Sequence, residues 1–397
     1  MPYFRIPKTI TVDGYVDTRF KLIKKLSPKA LFRNGYADEF YPFPIVHSRK
    51  EIDTFVQVQR VLHKALTGIV ENYFSDTDIQ KRVPLAKEVA TQLRRISSCP
   101  YRVGAIRPDY IYTKVGQPLL CEINARFIFN GFFMSIYMNE AFQSLFPMYS
   151  QMRGIQNLKN SMKERFGTQD VPVIKDREDG YDVHSFLLEY PSAQLFGVKD
   201  LKKILKKYPT VVLELHQDEV EKHLKVICDA IISGTTILND PRTLFIVHDK
   251  RLLSVLSDVR IMRRYLTASE TALLTGFVIP TYTSDTHPKI FSKAEKDRSK
   301  WVGKKAISGK ADGLYIGKEK EPAVWKAILK RPDTLLQPYI VQKKFRFWDP
   351  LKRKVNEWYL AGVLPMWDDA FFGPGLYRVS HTHKHDFARF IQPMQEK

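Results

Sequence analysis

The stretch that most constrains this chain is residues 103–124, where apolar residues alternate on both sides of Val115-Gly116-Gln117-Pro118. Period-two alternation about a Gly-containing turn marks a β-hairpin. A two-residue loop at Gly116-Gln117 pairs Asp109 with Asn124 and Ile111 with Glu122. Side chains two apart on a strand share a face, so Arg107 joins Asp109 on one strand while Glu122 joins Asn124 on the other. Asp109, Glu122 and Asn124 then form a set of hard oxygen donors, which Mg²⁺ accepts when phosphates and water fill its remaining positions. Arg107 beside them suits charge on a transferring phosphoryl group. The competing reading is a solvated sheet face with an Arg–Asp ion pair. Against it, Glu122 stands within Leu119-Leu120-Cys121-Glu122-Ile123-Asn124, where a carboxylate among apolar neighbours requires a partner. Everything depends on register, because a one-residue slip sends the two halves to opposite faces.

The rest of the chain is ordinary globular material. Its 397 residues are 44% hydrophobic, enough for two or three packed units. The longest hydrophobic run, residues 127–138, is broken by Asn130, Gly131 and Ser135, and the N-terminal basic residues precede no apolar signal core. Neither secretion nor a membrane span is expected. Three cysteines without C-x-x-C spacing argue against a disulfide framework or a structural zinc site and favour the cytoplasm. The net charge of +20 raises nucleic acid as a partner, but Lys and Arg are spread along the chain, densest over residues 289–354, with no helix-turn-helix, RNP or zinc-finger pattern. A triphosphate site, an anionic substrate or a basic soluble surface draws on the same excess.

Helices are expected over residues 51–72 and 84–96 from three-to-four spacing of apolar residues. Residues 181–239 read as strand (183–188), helix (198–207), strand (210–215), helix (218–232) and strand (235–238), which implies a small parallel α/β layer. The charged segment 174–180 is the expected linker before it. Helices follow over 243–256 and 268–276, the latter stopped by Pro280, and strands around loops over 300–317 and 334–342. The fold class is therefore α/β plus α+β, divided at 1–172, 173–258 and 259–397.

No G-x-x-x-x-G-K-[ST] occurs, and no G-x-G-x-x-G follows a strand. Instead, the strand Trp301-Val302-Gly303-Lys304-Lys305 leads through Ser308-Gly309-Lys310-Ala311-Asp312-Gly313 into Leu314-Tyr315-Ile316-Gly317. Strand, small-residue loop, strand suits a phosphate-covering lid, with backbone N–H groups of Ser308, Gly309 and Gly313 near phosphate oxygens and Lys304 as a point charge. An exposed basic hairpin has the same pattern. Further on, Leu335-Leu336-Gln337-Pro338-Tyr339-Ile340 reads as an edge strand that could present backbone groups to adenine at Gln337, Tyr339 and Ile340.

In this order the segments resemble the circularly permuted ATP-grasp family, as in the synthetase part of glutathionylspermidine synthetases and related peptide-forming ligases. Arg107-Pro108-Asp109 is similar to its R-x-D and Glu122-Ile123-Asn124 to its E-x-N. Asp249-Lys250-Arg251-Leu252-Leu253 resembles the helix start carrying the first ATP lysine, and Trp301-Val302-Gly303-Lys304 the strand of the second. Residues 337–340 resemble the adenine-holding linker. Leu360-Ala361-Gly362-Val363, Gly375 and Tyr377-Arg378-Val379-Ser380 resemble the closing strands, where Arg378 would meet the acyl phosphate. The sequence departs from the pattern at Pro108, Gly303 and Lys305.

The resemblance implies an ATP-grasp fold with ATP and Mg²⁺ as cofactors, the metal on Asp109, Glu122 and Asn124, and Lys250 and Lys304 on phosphates. It implies an enzyme joining a small-molecule carboxylate to an amine or peptide through an acyl phosphate, with Arg107 and Arg378 as catalytic groups. A kinase on the same fold and a non-catalytic basic binding module are the alternatives. His381-Thr382-His383-Lys384-His385 places three imidazoles at alternate positions, open to either an exposed tail or a metal site.

Overall fold

The hairpin forms, but with a different turn. A computed structural model describes residues 11–29, 39–129, 131–167, 170–177, 181–307, 313–349, 353–382 and 389–397. Strands Ala105–Tyr112 and Pro118–Asn124 are antiparallel, with Arg107 opposite Asn124, Asp109 opposite Glu122 and Tyr110 opposite Leu120. The Thr113 N–H bonds to the Gln117 carbonyl at 2.8 Å, leaving a loop of Lys114, Val115 and Gly116, with Gly116 at φ 87. A three-residue loop ending on a left-handed glycine replaces the expected two-residue loop. Between Asp109 and Tyr110 the register shifts, so Cys121 is an extra residue on its strand, a β-bulge. Both departures correct the expected pairing of Asp109 with Asn124 and Ile111 with Glu122.

This hairpin lies within an eight-stranded antiparallel sheet. Ala105–Tyr112 is flanked by Lys354–Val363 and Met366–Trp367, and Lys354–Val363 continues through Tyr377–Ser380 to Arg389–Ile391. Helix Arg49–Glu71 packs on it with Ile52, Phe55, Val58, Val61, Leu62, Ala65, Leu66 and Ile69 buried at three-to-four spacing. Ser48 and Glu51 close its N-terminus as a capping box.

On the core face, Gly362 lies between Tyr110 and Tyr377 in the ladder. The Tyr110 ring covers it so closely that a Cβ there would sit 2.2 Å from Cζ. The Tyr110 hydroxyl donates to that of Tyr377 at 2.7 Å, and the Tyr377 hydroxyl also meets Tyr112 at 3.0 Å and His47 Nε2 at 2.9 Å. All four side chains are buried. Because side chains alternate, locking Tyr110 and Tyr377 on this face aims Asp109 and Arg378 out of the other.

Two smaller sheets complete the frame. Leu314–Ile316, Trp301–Lys305, Thr334–Pro338 and Tyr282–Thr283 form an antiparallel sheet in that order. Helices Pro288–Lys296 and Pro322–Leu329 back it through Phe291, Ala294, Trp325 and Ile328. Thr334–Pro338 is no edge strand at Leu335 and Leu336, where neighbours pair on both sides, and it ends at Pro338 rather than residue 342.

The parallel layer runs Ala193–Phe196, Val171–Lys175, Thr210–Glu214, Thr236–Leu238. The expected strand over 183–188 is instead helix Tyr181–Glu189. Val183, Phe186 and Leu187 are spaced for one helix face, and Val183 and Phe186 are fully buried. The first strand is Val171–Lys175, whose last two residues fall in the segment read as linker. The single helix expected over 243–256 is broken into a wide turn at Thr243–Val247 and a short helix Leu252–Leu256, with Asp249, Lys250 and Arg251 between them. Among the described residues no helix is long and apolar enough to cross a membrane.

Candidate active site

Asp109 is 1% exposed and accepts from Arg107 Nε at 3.0 Å and Nη2 at 3.3 Å, and from Arg378 Nη2 at 2.7 Å. Two guanidinium groups from different strands therefore converge on one carboxylate. Opposite it in the ladder, Glu122 lies 3.7 Å from Lys250 Nζ. Burial raises the Glu122 carboxyl, but Lys250, Lys304, Arg378 and Arg107 together outweigh it and hold it at about 2. Lys250 is lowered by burial, against the attraction of Glu122 and with the repulsion of Lys304. The bulge has a direct use here, since the Cys121 carbonyl accepts from Lys304 Nζ at 3.0 Å.

The backbone joins the same pieces. The Lys250 N–H bonds to the Ala306 carbonyl at 3.0 Å, tying its segment to the end of strand Trp301–Lys305. Arg107, Lys250, Lys304 and Arg378 surround Asp109 and Glu122, and these six groups sum to two net positive charges in a half-buried space, with Asp182 and Asp249 acting further off on Arg107 and Lys250. Such an excess is stabilised by an anion that enters the site.

Glu122 is ionised across neutral pH and, with the Asn124 amide oxygen on the same face, offers a hard divalent cation two oxygen donors, whereas both oxygens of Asp109 are engaged by Arg107 and Arg378. Among the described residues no group of three or more His, Cys, Asp or Glu is placed to hold a metal, so any such site rests on two carboxylates and this amide. Arg378 Nε is buried and has no hydrogen-bond partner among the described residues.

Of the other residues singled out above, Gln337 is buried with its Nε2 on Thr281 Oγ1 at 3.0 Å, and the Tyr339 N–H bonds to the Lys300 carbonyl at 2.7 Å. Lys318 Nζ meets the Tyr339 hydroxyl at 3.0 Å and lies 4.1 Å from its ring centre. Ile340 follows just beyond that strand. Gly313 precedes strand Leu314–Ile316 at φ 71, with its carbonyl on the Lys305 N–H at 2.9 Å. Ser308 and Gly309 lie outside the described residues, as do His383 and His385; His381 Nε2 accepts from Trp358 Nε1 at 3.1 Å.

Two supporting residues escaped the sequence. Asn239 accepts from the Ala105 N–H at 2.8 Å and donates to the carbonyls of Ala105 at 2.8 Å and Ala125 at 3.3 Å, clamping the open end of the hairpin. His248 Nδ1 accepts from the Ala125 N–H at 3.3 Å, two residues before Lys250. Burial, with Lys250 and Arg126 nearby, lowers this imidazole to about 4, keeping it neutral for that role. Lone Asn and His residues far from the hairpin give no local signal of either contact.

Residues 58–199 match the model of the AnkG N-terminal domain. Over 137 residues the chain is 30% identical to the ATP-grasp enzyme ankG of Aspergillus thermomutatus, covering 32% of this chain and 27% of that protein. The chain thus matches about a quarter of that relative's length. Its fold is similar to the solved apo structure of GSS30, a glutathione synthetase-like effector from Globodera pallida, with a TM-score of 0.57 and 13% identity over 98% of this chain and 100% of that one. Part of the sequence is thus similar to an ATP-grasp enzyme, and the fold is similar to a glutathione synthetase-like effector. The matched region 58–199 contains Arg107, Asp109, Glu122 and Asn124, whereas Lys250, Lys304 and Arg378 lie beyond it.

Proposed function

We propose that this chain is an ATP-dependent carboxylate–amine ligase on a circularly permuted ATP-grasp frame. The observation that carries this reading is the convergence of Arg107, Lys250, Lys304 and Arg378, from four separate segments, on Asp109 and Glu122. The order of these segments, hairpin first and arginine strand last, supports the permuted arrangement.

In this reading Lys250 and Lys304 neutralise phosphate oxygens, and the neighbourhood of Gln337, Tyr339 and Ile340 receives adenine. Glu122 and Asn124, with Asp109, would hold Mg²⁺, which supplies charge neutralisation on the β- and γ-phosphates. Arg107 and Arg378 orient the carboxylate substrate as its oxygen attacks the γ-phosphorus and ADP departs. When an amine then attacks the acyl phosphate, the same guanidinium groups stabilise the tetrahedral oxyanion. No protein nucleophile is needed. Cys121, the thiol nearest the site, is pushed up to about 12 by burial, which keeps it protonated.

The test is a panel of amino acids and small peptides with ATP and Mg²⁺, scored by mass spectrometry for ADP and new amides. Glu122→Gln and Lys304→Ala should abolish both products. A phosphorylated compound without an amide would instead identify a kinase, and purified protein that binds no ATP would defeat the proposal.

A further inference from the structure

The segment after the hairpin is held at the carboxyl ends of the parallel sheet by two buried carboxylates. Glu214, last in its strand, accepts from the N–H groups of Ile128 at 2.8 Å and Phe129 at 2.9 Å. Asp182, in the first turn of Tyr181–Glu189, accepts through Oδ2 from the Gly131 N–H at 2.5 Å. It also faces the N–H groups of Phe132, Phe133 and Met134. The chain reverses direction across this sheet between Val171–Lys175 and Thr210–Glu214, and open α/β sheets bind ligands outside the carboxyl ends at such a point.

Asp182 does more than an N-terminal cap requires. It is 5% exposed, yet Oδ1 has no hydrogen-bond partner among the described residues. A spare buried carboxylate oxygen is costly unless a donor arrives. Burial outweighs the surrounding N–H groups and lifts this carboxyl to about 7, so it can exchange a proton near neutrality. Its charge also acts on Arg107, the group assigned above to the acyl phosphate.

We propose that Asp182 receives the acceptor amine, binding its ammonium group through Oδ1 and removing one proton before attack. The inference rests on the ligase reading and adds to it a substrate class, a primary amine that arrives protonated. Asp182 takes one proton from the ammonium, and the freed lone pair forms the C–N bond at the acyl carbon. The C–O bond to phosphate then breaks, phosphate leaves with the electron pair, and the second nitrogen proton passes to the departing phosphate. Arg107 keeps the carboxylate and amine subsites adjacent.

The experiment compares the full chain with Asp182→Asn, in which the amide oxygen still accepts from the Gly131 N–H. Each common amino acid is offered as carboxylate with ATP and Mg²⁺, with hydroxylamine as acceptor in one arm and the same amino acids as acceptors in the other. Hydroxylamine is already unprotonated at neutral pH and needs no base. The variant should keep hydroxamate formation within about 2-fold and lose amide formation by about 100-fold or more. Equal loss in both arms, or no loss in either, overturns the assignment to Asp182. Wild-type protein that makes neither product overturns the ligase reading itself.

Discussion

Replacing Glu122 by Gln removes the counter-charge that Lys250 and Lys304 share, and the structure gives the size of the effect. The carboxyl moves from a usual 4.5 to about 2, with burial outweighed by Lys250, Lys304, Arg378 and Arg107. At about 1.36 kcal/mol per pH unit, this corresponds to about 3 kcal/mol of folding stability at neutral pH. The folded value is depressed, so this stability is fully present above 4.5 and is lost as pH falls towards 2. Urea denaturation followed by tryptophan fluorescence should therefore show Glu122→Gln less stable by about 3 kcal/mol at pH 7, and by about 1 kcal/mol at pH 3. Inorganic triphosphate should stabilise the variant more than the wild type, because it supplies the missing negative charge. Equal stabilities at pH 7, or a gap that does not narrow at pH 3, would refute the view that this carboxylate is held by surrounding cations.

Lys304→Met removes one cation and its hydrogen bond to Cys121, and should weaken ATP binding by about 10- to 100-fold in calorimetric titration. Gly362→Ala drives a methyl group into the Tyr110 ring and should cost about 1–3 kcal/mol, read as a lowered thermal midpoint. Asp182 titrates in the opposite sense to Glu122. Its folded value is raised by burial from 3.8 to about 7, so its contribution is present below 3.8 and is lost as pH rises to 7. The stability difference between wild type and Asp182→Asn should therefore shift against the wild type as pH rises through that window, measured as unfolding free energy of both proteins against pH.

Helix Arg49–Glu71 and the strands Trp301–Lys305 and Leu314–Ile316 were legible because their local signals agree with their packing. Helix Arg49–Glu71 announces itself by apolar spacing and is closed by Ser48 and Glu51. The strands Trp301–Lys305 and Leu314–Ile316 stand where they were expected. Residues 181–189 misled because a short run containing Val183, Phe186 and Leu187 satisfies either period, and only contacts such as Phe186 with Phe129 at 4.3 Å decide it. Asn239 and His248 act through backbone groups more than a hundred residues away, a kind of contact that leaves no mark on periodicity.

The grouping of Arg107, Asp109, Glu122 and Asn124 on one face was legible although the register was not, because two departures cancel. A three-residue loop alone would place Glu122 and Asn124 on the side of Leu120, among Tyr110 and Tyr112 in the core. Burying those polar groups there without partners would cost several kcal/mol. Inserting Cys121 as a bulge rotates them back, so Leu120 and Ile123 point into the core while Glu122 and Asn124 meet the arginine side. The sequence does carry the signal. Leu119 and Leu120 are followed by Ile123, an apolar doublet and then a gap of three, which no regular strand with one buried face produces. A carboxylate strand that breaks its own alternation thus identifies both the bulge and the carbonyl, Cys121, on which Lys304 rests.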